Sequence, residues 1–509
     1  MGQGNSTCAD WLTLRLDKQQ CAAAAAAVFS GAVILYATRS DPMLSPDSIS
    51  YLSTAAHLRS GDGFTQFTGE PLTVFGPIMP ILLAAGGRSL LWARLVGASA
   101  IAIATWLMYI LLKRRVHPWV AVVAAAAFGT SQGVVRVGSF VWSEAPYLCI
   151  VLAALVVLTG APLNQRRCAV GGLLCGLGFL TRYAGAGLVV TGMVCVVAAS
   201  YHLGRAQALR MTGTFFAAAT ATGGIWVVRN LIETGEALGP RFSGGAADSF
   251  EELIRKPIKS LSELIFGDLV DPSRRTTMGL VVLGVLLACA IIALARHSSL
   301  TLDLAMLTLA ATSLVIPVAA RWRTASDIDF RVMSPMLIPV IYVAAAALNR
   351  LRAQPVALII ALSAVLWSAN EGTSLAQRTP QYLSASVGSR TQYAPALYDL
   401  VEALPERAHV LTNSPQRVWW HTDRNPTQFA FTRPRAGNSN YPLSPADTLA
   451  LACTPDTYLA WFGQLQNAGD GPTERRPDLV KIIDLTLEET VAGGELYLLT
   501  AHDSSTCND

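Results

Sequence analysis

Charge is the scarcest feature of this sequence. Asp, Glu, Lys and Arg make up 14% of its 509 residues, against about a quarter in a soluble globular domain. With 52% of residues hydrophobic, that scarcity excludes an ordinary soluble fold and identifies an integral membrane protein. No Lys/Arg-rich block stands out and the formal net charge is only +4, so nucleic acid is not an expected partner. The nine cysteines show no metal-ligand spacing. Cys149, Cys175, Cys195 and Cys289 lie within apolar runs, where a thiol behaves as a small buried hydrophobe. A small-residue cleavage site is also missing after the first apolar run, 21–38. That run is therefore expected to be a retained span and not a removed signal peptide.

Long apolar runs are what the sequence has in plenty. Candidate spans fall at 21–38, 89–112, 118–135, 145–162, 168–181, 183–200, 211–228, 278–295, 299–320, 332–348 and 353–369, about eleven at roughly 20 residues per crossing. The shortest, 168–181, ends at Arg182 and could be half of a longer interrupted segment. Short connections between alternate spans are basic and nearly free of acid: "KRRVH" (113–117), "NQRR" (164–167), "HLGRAQALR" (202–210), "ARHSS" (295–299) and "NRLR" (349–352), with Arg15 and Lys18 before the first span. Placed on one side they satisfy the positive-inside rule. Dropping 168–181 would scatter the later turns to the other side, which favours keeping it. The expected organisation is a cytoplasmic N-terminus (1–20), a transmembrane domain (21–369) and an extracytoplasmic region (370–509), with external loops at 39–88 and 229–277.

Shorter features fill in these loops. "FGPIMPILLAAGG" (75–87) is apolar but 13 residues long, too short to cross and suited to a re-entrant or interfacial helix. "DSFEELIRKPIKSLSELIFGDLV" (248–270) has helical apolar spacing; it predicts either an amphipathic helix lying on the membrane or an ordinary solvated loop helix. Beyond 370, aromatic and β-branched runs such as "HVLTNSP" and "ELYLLT" alternate with Pro, Asn and Gly, as in a small α/β domain. Cys453 and Cys507 both fall there, and sequence spacing alone does not decide whether they pair.

The remaining charges gather on the external side. Asp47 opens the first loop, within "SPDSISYLSTAAHLRSGDGF" (45–64). Glu144 lies in "VWSEAPY" (141–147), Arg182 in "FLTRYAGAG" (179–187), Arg229 and Asn230 in "WVVRN" (226–230), and Arg331 in "DIDFRVMSP" (327–335). Any one of them could be a headgroup anchor. Two carboxylates and three arginines converging on one face instead favour an anionic headgroup partner or a catalytic pocket.

The order of these pieces resembles the GT-C superfamily of polyprenyl-phosphate-sugar glycosyltransferases, and most of all its protein O-mannosyltransferase and lipid A aminoarabinose transferase branch. The likeness spans most of the chain. The acid after the first span matches Asp47, followed by Tyr51 and "AAHLRSGDGF"; "GEPLTVFGPIMPILLAA" (69–85) is similar to the family's proline-bearing loop helix. The second external acid matches Glu144 with Pro146. "GGLLCGLGFLTRYAG" (171–185), "GIWVVRNLIETGEALG" (224–239), "FRVMSPMLIPVIYVAAAAL" (330–348) and "VLTNSPQRVWWHTDR" (410–424) resemble further family segments. Departures are visible: Ser48 follows Asp47 where many relatives carry a second acid, Glu144 stands where Asp is common, and the external DxD pattern is limited to Asp327 and Asp329. The resemblance implies no cofactor and leaves a divalent metal open. It also implies a polytopic α-helical fold with a small C-terminal α/β domain, in a bacterial inner membrane. Its donor would be a polyprenyl-phosphate-linked hexose or pentose, and its acceptor a lipid, glycan or protein.

Chemistry assigns the expected roles. A lipid-phosphate leaving group needs charge stabilisation more than protonation, and a guanidinium binds phosphate through a planar fork; Arg331, Arg229 and Arg182 are the candidates, in that order. The acceptor hydroxyl must lose its proton as the bond forms. Asp47 is the expected base, with Glu144 orienting the acceptor or sharing the role, and direct attack with one base gives inversion. Tyr51 and His57 are candidates for the sugar pocket, His57 being equally readable as a loop histidine without a role. Asp47 has a competing explanation as the cap of a helix beginning near Ile49. The rival class is a transporter or lipid-linked-sugar flippase, which would show midplane charge or helix breaks repeated in two halves; Asp303 is the one acid inside an expected span, near its cytoplasmic end.

Overall fold

Apolar runs fold into helices here because a backbone surrounded by hydrocarbon can satisfy its polar groups only internally. The computed structural model describes residues 17–160, 162–240, 249–267, 270–295, 300–323, 328–350, 366, 368–379, 387–389, 394–429, 445–463, 472, 481–502 and 507. In order, the helices are α1 (Lys18–Ala37), α2 (Pro46–Ser60), α3 (Ile78–Ala84), α4 (Leu90–Leu112), α5 (Pro118–Thr130), α6 (Gln132–Ser139) and α7 (Glu144–Leu158). They are followed by α8 (Gln165–Thr181), α9 (Ala186–Ser200), α10 (Arg205–Thr234), α11 (Phe250–Phe266), α12 (Arg275–Ala295), α13 (Leu300–Arg323) and α14 (Leu337–Leu348).

Among the described residues, five helices are long and apolar enough to cross a membrane: Lys18–Ala37, Leu90–Leu112, Tyr183–Leu203, Arg205–Thr234 and Thr301–Trp322. The pair α5 and α6 adds a sixth if it is one span bent by 47°; the break is at Ser131, whose backbone is extended (φ −61°, ψ 145°). That is fewer than the apolar runs predict. The runs at 145–162, 278–295 and 332–348 form shorter apolar helices, Glu144–Leu158, Arg275–Ala288 and Ser334–Leu348. The run at 168–181 is α8, 17 residues long. The run at 353–369 lies almost wholly outside the described residues, as do Asp327, most of the N-terminal segment 1–20 and the side chain of Cys289.

Small residues let the helices approach. On α8, Gly172 and Gly176 share one face against α10: a Cβ at Gly172 would fall 2.3 Å from the Phe215 carbonyl, and one at Gly176 2.6 Å from the Thr222 Cβ. This is the small-xxx-small contact by which membrane helices pack. The amphipathic α11 turns Leu253, Ile258, Leu261 and Leu264 inward, packing on α12 and α13. The segment therefore forms the expected helix, its inward face covered by protein while Phe250 and Ile254 remain exposed.

The C-terminal residues carry a five-stranded mixed sheet, ordered β2-β1-β3-β5-β4. Its strands are β1 (His409–Thr412), β2 (Thr427–Gln428), β3 (Thr457–Phe462), β4 (Ile483–Val491) and β5 (Gly494–Ala501). β1 runs parallel to β2 and β3, while β5 is antiparallel to both β3 and β4. The sheet is flanked by α15 (Pro395–Ala403), α16 (Pro415–Thr422) and α17 (Pro445–Ala452). Cys453 and Cys507 are joined in a disulfide. This region sits on the first loop. Trp419 of α16 is buried in one apolar cluster with Tyr51, Leu52, Phe67 and Met79. Arg88 pairs with Asp423 and lies over the Trp419 ring at 4.6 Å, and the Val387 amide donates to the Leu44 carbonyl at 3.0 Å.

Candidate active site

The site begins with the start of α2. Ser45 is the N-cap: its hydroxyl accepts the Ser48 amide at 3.3 Å, and Ser48 accepts the Ser45 amide at 3.0 Å, with Pro46 in the first turn. Both capping duties therefore fall to serines. Asp47 is not the cap, and the helix begins at Pro46, before Ile49. The Asp47 carboxylate is left to project from the first turn, where the helix dipole favours a negative charge.

Arg331 meets it across 284 residues of sequence. Its Nη1 donates to Asp47 Oδ2 at 3.0 Å and its Nε to Asp329 Oδ2 at 2.6 Å, while Asp329 Oδ1 accepts the Arg331 amide at 3.0 Å. The guanidinium also lies 4.5 Å from the Trp142 ring centroid. The same indole donates its Nε1–H to Ser45 Oγ at 2.7 Å and stacks on Phe140 at 3.7 Å. One side chain thus fixes the cap of the Asp47 helix and the plane of Arg331. The bridge is not sealed, because Asp47 and Arg331 side chains are 26% and 25% exposed, so a ligand can reach both.

The second acid is deeper. Glu144 opens α7, pairs with Arg182 and is 3% exposed. Arg182, at the C-terminal end of α8, also donates to Ser143 Oγ at 3.4 Å. The Ser143 hydroxyl lies 3.3 Å from the Tyr51 hydroxyl, which links this pair back to α2. The four charges act on one another. Burial pushes the Asp47 carboxyl above the ordinary carboxylate range; Arg331 pulls it down, Glu144 pushes it further up, and Arg182 pulls weakly down. Burial opposes the charge on Arg331, but Asp47 and Asp329 more than offset it and hold its pKa above the usual value. Tyr51 is raised by burial and by Asp47, so it stays a neutral hydroxyl. Fixed cations beside a carboxylate of raised pKa can stabilise a departing anion and accept a proton.

Two expected site residues are employed elsewhere. Arg229 donates to the Leu72 carbonyl at 2.8 Å and the Phe64 carbonyl at 3.4 Å, and lies 4.5 Å from the Trp226 ring. Neighbouring Asn230 donates to the Tyr183 hydroxyl at 2.9 Å and the Thr73 carbonyl at 3.3 Å. The pair therefore staples the first loop to α10 and is not gathered with Asp47, Glu144, Arg182 and Arg331. His57 sits in the last turn of α2, its Nδ1 2.7 Å from the Thr65 carbonyl, where it braces the turn after the helix. Sequence reasoning missed Trp142, and it noted Asp329 only as half of a DxD pattern and not as the partner of Arg331. Their signals are present: Trp142 stands two residues before Glu144 in "VWSE", and Asp329 two before Arg331 in "DIDFR". Among the described residues, no group of three or more His, Cys, Asp or Glu side chains is placed to hold a metal.

No known protein family matches the chain in sequence, and no curated protein does. Solved structures do match in fold. ArnT from Cupriavidus metallidurans bound to undecaprenyl phosphate is similar with a TM-score of 0.61 at 12% identity, over 94% of this chain and 97% of that one. The Archaeoglobus fulgidus oligosaccharyltransferase in its apo form is similar with a TM-score of 0.54 at 13% identity, over 86% of this chain and 69% of that one. The mycobacterial arabinofuranosyltransferase AftD (mutant R1389S, class 2) gives 0.52 at 17% identity, over 94% of this chain and 42% of that one. The chain shares the fold of these solved structures.

Proposed function

We propose that this protein is a membrane glycosyltransferase that moves a sugar from a polyprenyl-phosphate donor to an acceptor hydroxyl. The observation that carries the reading is Arg331 bridging Asp47 and Asp329 beside the Glu144–Arg182 pair, at a solvent-reached mouth in this fold. Related folds supply the donor class: ArnT was solved with undecaprenyl phosphate, and archaeal AglB with a dolichol-phosphate and an inhibitory peptide (TM-score 0.52).

In this reading the donor phosphate competes with Asp47 for Arg331. As the guanidinium turns to the phosphate oxygens, the carboxylate is released to accept a proton. The acceptor oxygen attacks the anomeric carbon, its proton passes to Asp47, and the bond from that carbon to the phosphate oxygen breaks. Polyprenyl phosphate leaves with the bonding electron pair, its charge held by Arg331. Attack opposite the leaving group inverts the anomeric centre. Glu144 keeps Arg182 in place and orients the acceptor side through Ser143 and Tyr51. The phosphate role falls to Arg331 ahead of Arg182, which is committed to Glu144, and Arg229 is left holding the loop. No metal is needed in this scheme. The acceptor is a lipid, glycan or protein, and the sugar a hexose or pentose.

The external face is the expected location. The short basic turns support a cytoplasmic N-terminus, and the Cys453–Cys507 disulfide fits an oxidising compartment for the C-terminal region. That region rests on the Asp47 helix, so site and disulfide share a side. Transport finds little support: Asp303 is buried against Tyr342 near a helix end, not at a midplane. The direct experiment is to remove the gene and analyse lipid extracts. A polyprenyl-phosphate-linked sugar should accumulate outside the cytoplasmic leaflet and disappear on complementation. Unchanged lipid-linked sugars, or a reporter fused after residue 380 that proves cytoplasmic, would overturn the reading.

A further inference from the structure

A polar cavity of about 610 Å³ opens at the end of the bundle away from Asp47. It lies between two turns, one entering α8 at Gln165 and the other entering α10 at Arg205. Arg182 marks the opposite end of α8, about 25 Å away at 1.5 Å per residue, so this cavity is separate from the Asp47 site. Arg205, Arg210, Gln165 and Gln207 give it a polar wall, and no acid lines it. Leu163, Leu203 and Met211 supply an apolar wall. The first turn of α10 adds backbone donors, since Gly204 precedes it with no side chain to cap them.

The arginines around these turns fall into two sets. Arg114 donates to Thr159 Oγ1 and to the Val156 carbonyl, and Arg167 donates to the Gly160 and Pro162 carbonyls. Those two tie down the end of α7 and the turn that follows it. Arg205 and Arg210 are exposed, and among the described residues neither side chain has a hydrogen-bond or ion-pair partner. Two such cations around one cavity, with no acid beside them, attract an anion, and a guanidinium matches phosphate through its planar fork. The cavity opens at an apolar surface: Leu203 on its wall is 37% exposed, and Leu209, next to Arg210, is 74% exposed. In a chain that crosses a membrane such side chains lie against acyl chains, which makes a lipid the source of the phosphate. With no acid to receive an ammonium, the rest of the headgroup carries no positive charge. We infer that this cavity binds the phosphate of an anionic phospholipid whose headgroup alcohol is uncharged, on the membrane face opposite Asp47.

The full-length protein, purified and delipidated in detergent, would be titrated at low ionic strength by native mass spectrometry. The probes are dioleoyl phosphatidylglycerol, dioleoyl phosphatidylethanolamine and inorganic phosphate alone. The glycerol lipid should be retained about thirtyfold better than the ethanolamine lipid, with about fivefold from each arginine acting on its net negative charge. Arg205→Gln and Arg210→Gln should each cut that preference about fivefold, and the double variant should remove it. Both side chains are exposed, so these variants should fold as the wild type does. Arg350→Gln, in the turn after α14, should leave the preference unchanged. Ala206→Trp, which fills the cavity without altering charge, should lower retention of the glycerol lipid. Equal retention of the two lipids, an equal loss with Arg350→Gln, full preference in Ala206→Trp, or inorganic phosphate bound as tightly as the glycerol lipid would each overturn the inference.

Discussion

Trp142 is the residue through which the two halves of the site are registered, and its replacement tests that coupling. Its indole N–H holds Ser45 at 2.7 Å and its ring faces Arg331 at 4.5 Å. Trp142→Phe removes the hydrogen bond and keeps an aromatic face. The net loss should be about 1 kcal/mol, or about fivefold in kcat/KM. Trp142→Leu removes the ring interaction as well; a cation–π contact contributes about 0.5–2 kcal/mol according to exposure, and Arg331 is a quarter exposed. The combined loss is about 1.5–3 kcal/mol, or about ten- to a hundred-and-fifty-fold. Ser45→Ala removes the same hydrogen bond from the other side. In a double-mutant cycle Trp142→Phe should therefore cost almost nothing on the Ser45→Ala background, a coupling of about 1 kcal/mol. The assay is steady-state transfer by purified, folded variants, with donor binding followed separately. Additive losses, or both Trp142 variants within twofold of wild type, would show the indole to be packing only.

Other consequences follow from the same geometry. Asp47 is raised by burial, so kcat/KM should rise with pH as its carboxyl loses a proton, along an acid limb above the ordinary Asp value of about 3.9. Arg331→Met removes the cation that pulls this pKa down and should move the limb higher still; a pH–rate profile that stays put or shifts down would contradict it. Arg331→Ala should weaken donor binding by about 1.5–3 kcal/mol, whereas Arg350→Ala in the opposite turn should leave it near wild type. Equal, mild effects would make Arg331 a headgroup anchor. Arg229→Ala should lower thermal stability in detergent by about 1–3 kcal/mol, through its two carbonyl contacts. Turnover per folded molecule should change by less than about threefold, the inverse of the pattern expected of a phosphate ligand.

Much of the helical layout was legible because long apolar runs and basic turns are local, additive signals. The runs that became α1, α4, α10 and α13 needed nothing else. The bend at Ser131 was not visible, since Ser fits either a continuing or a broken helix, and it splits the 118–135 run. Asp47, Glu144, Arg182 and Arg331 could be gathered from sequence because each marks the end of a helix on one face. Their pairings could not, because Arg331 finds Asp47 across 284 residues and Arg182 takes Glu144 through the packing of α7 on α8. Arg229 shows the limit of the same logic. A position at a helix end does not fix where the side chain turns, and the polar carbonyls at Phe64 and Leu72 captured it. Trp142 escaped notice because an apolar segment offers no reason to single out one aromatic until its N–H partner is known.

The central claim is that Asp47 accepts the acceptor's proton, and Asp47→Asn tests it most directly. Asn is nearly isosteric, and Ser45 caps α2, so the substitution should leave folding intact. Transfer of sugar from a polyprenyl-phosphate donor by purified protein should fall about 10²–10⁴-fold, while the donor still binds because Arg331 loses its competitor. Wild-type turnover by Asp47→Asn would remove the base from Asp47 and direct attention to Glu144.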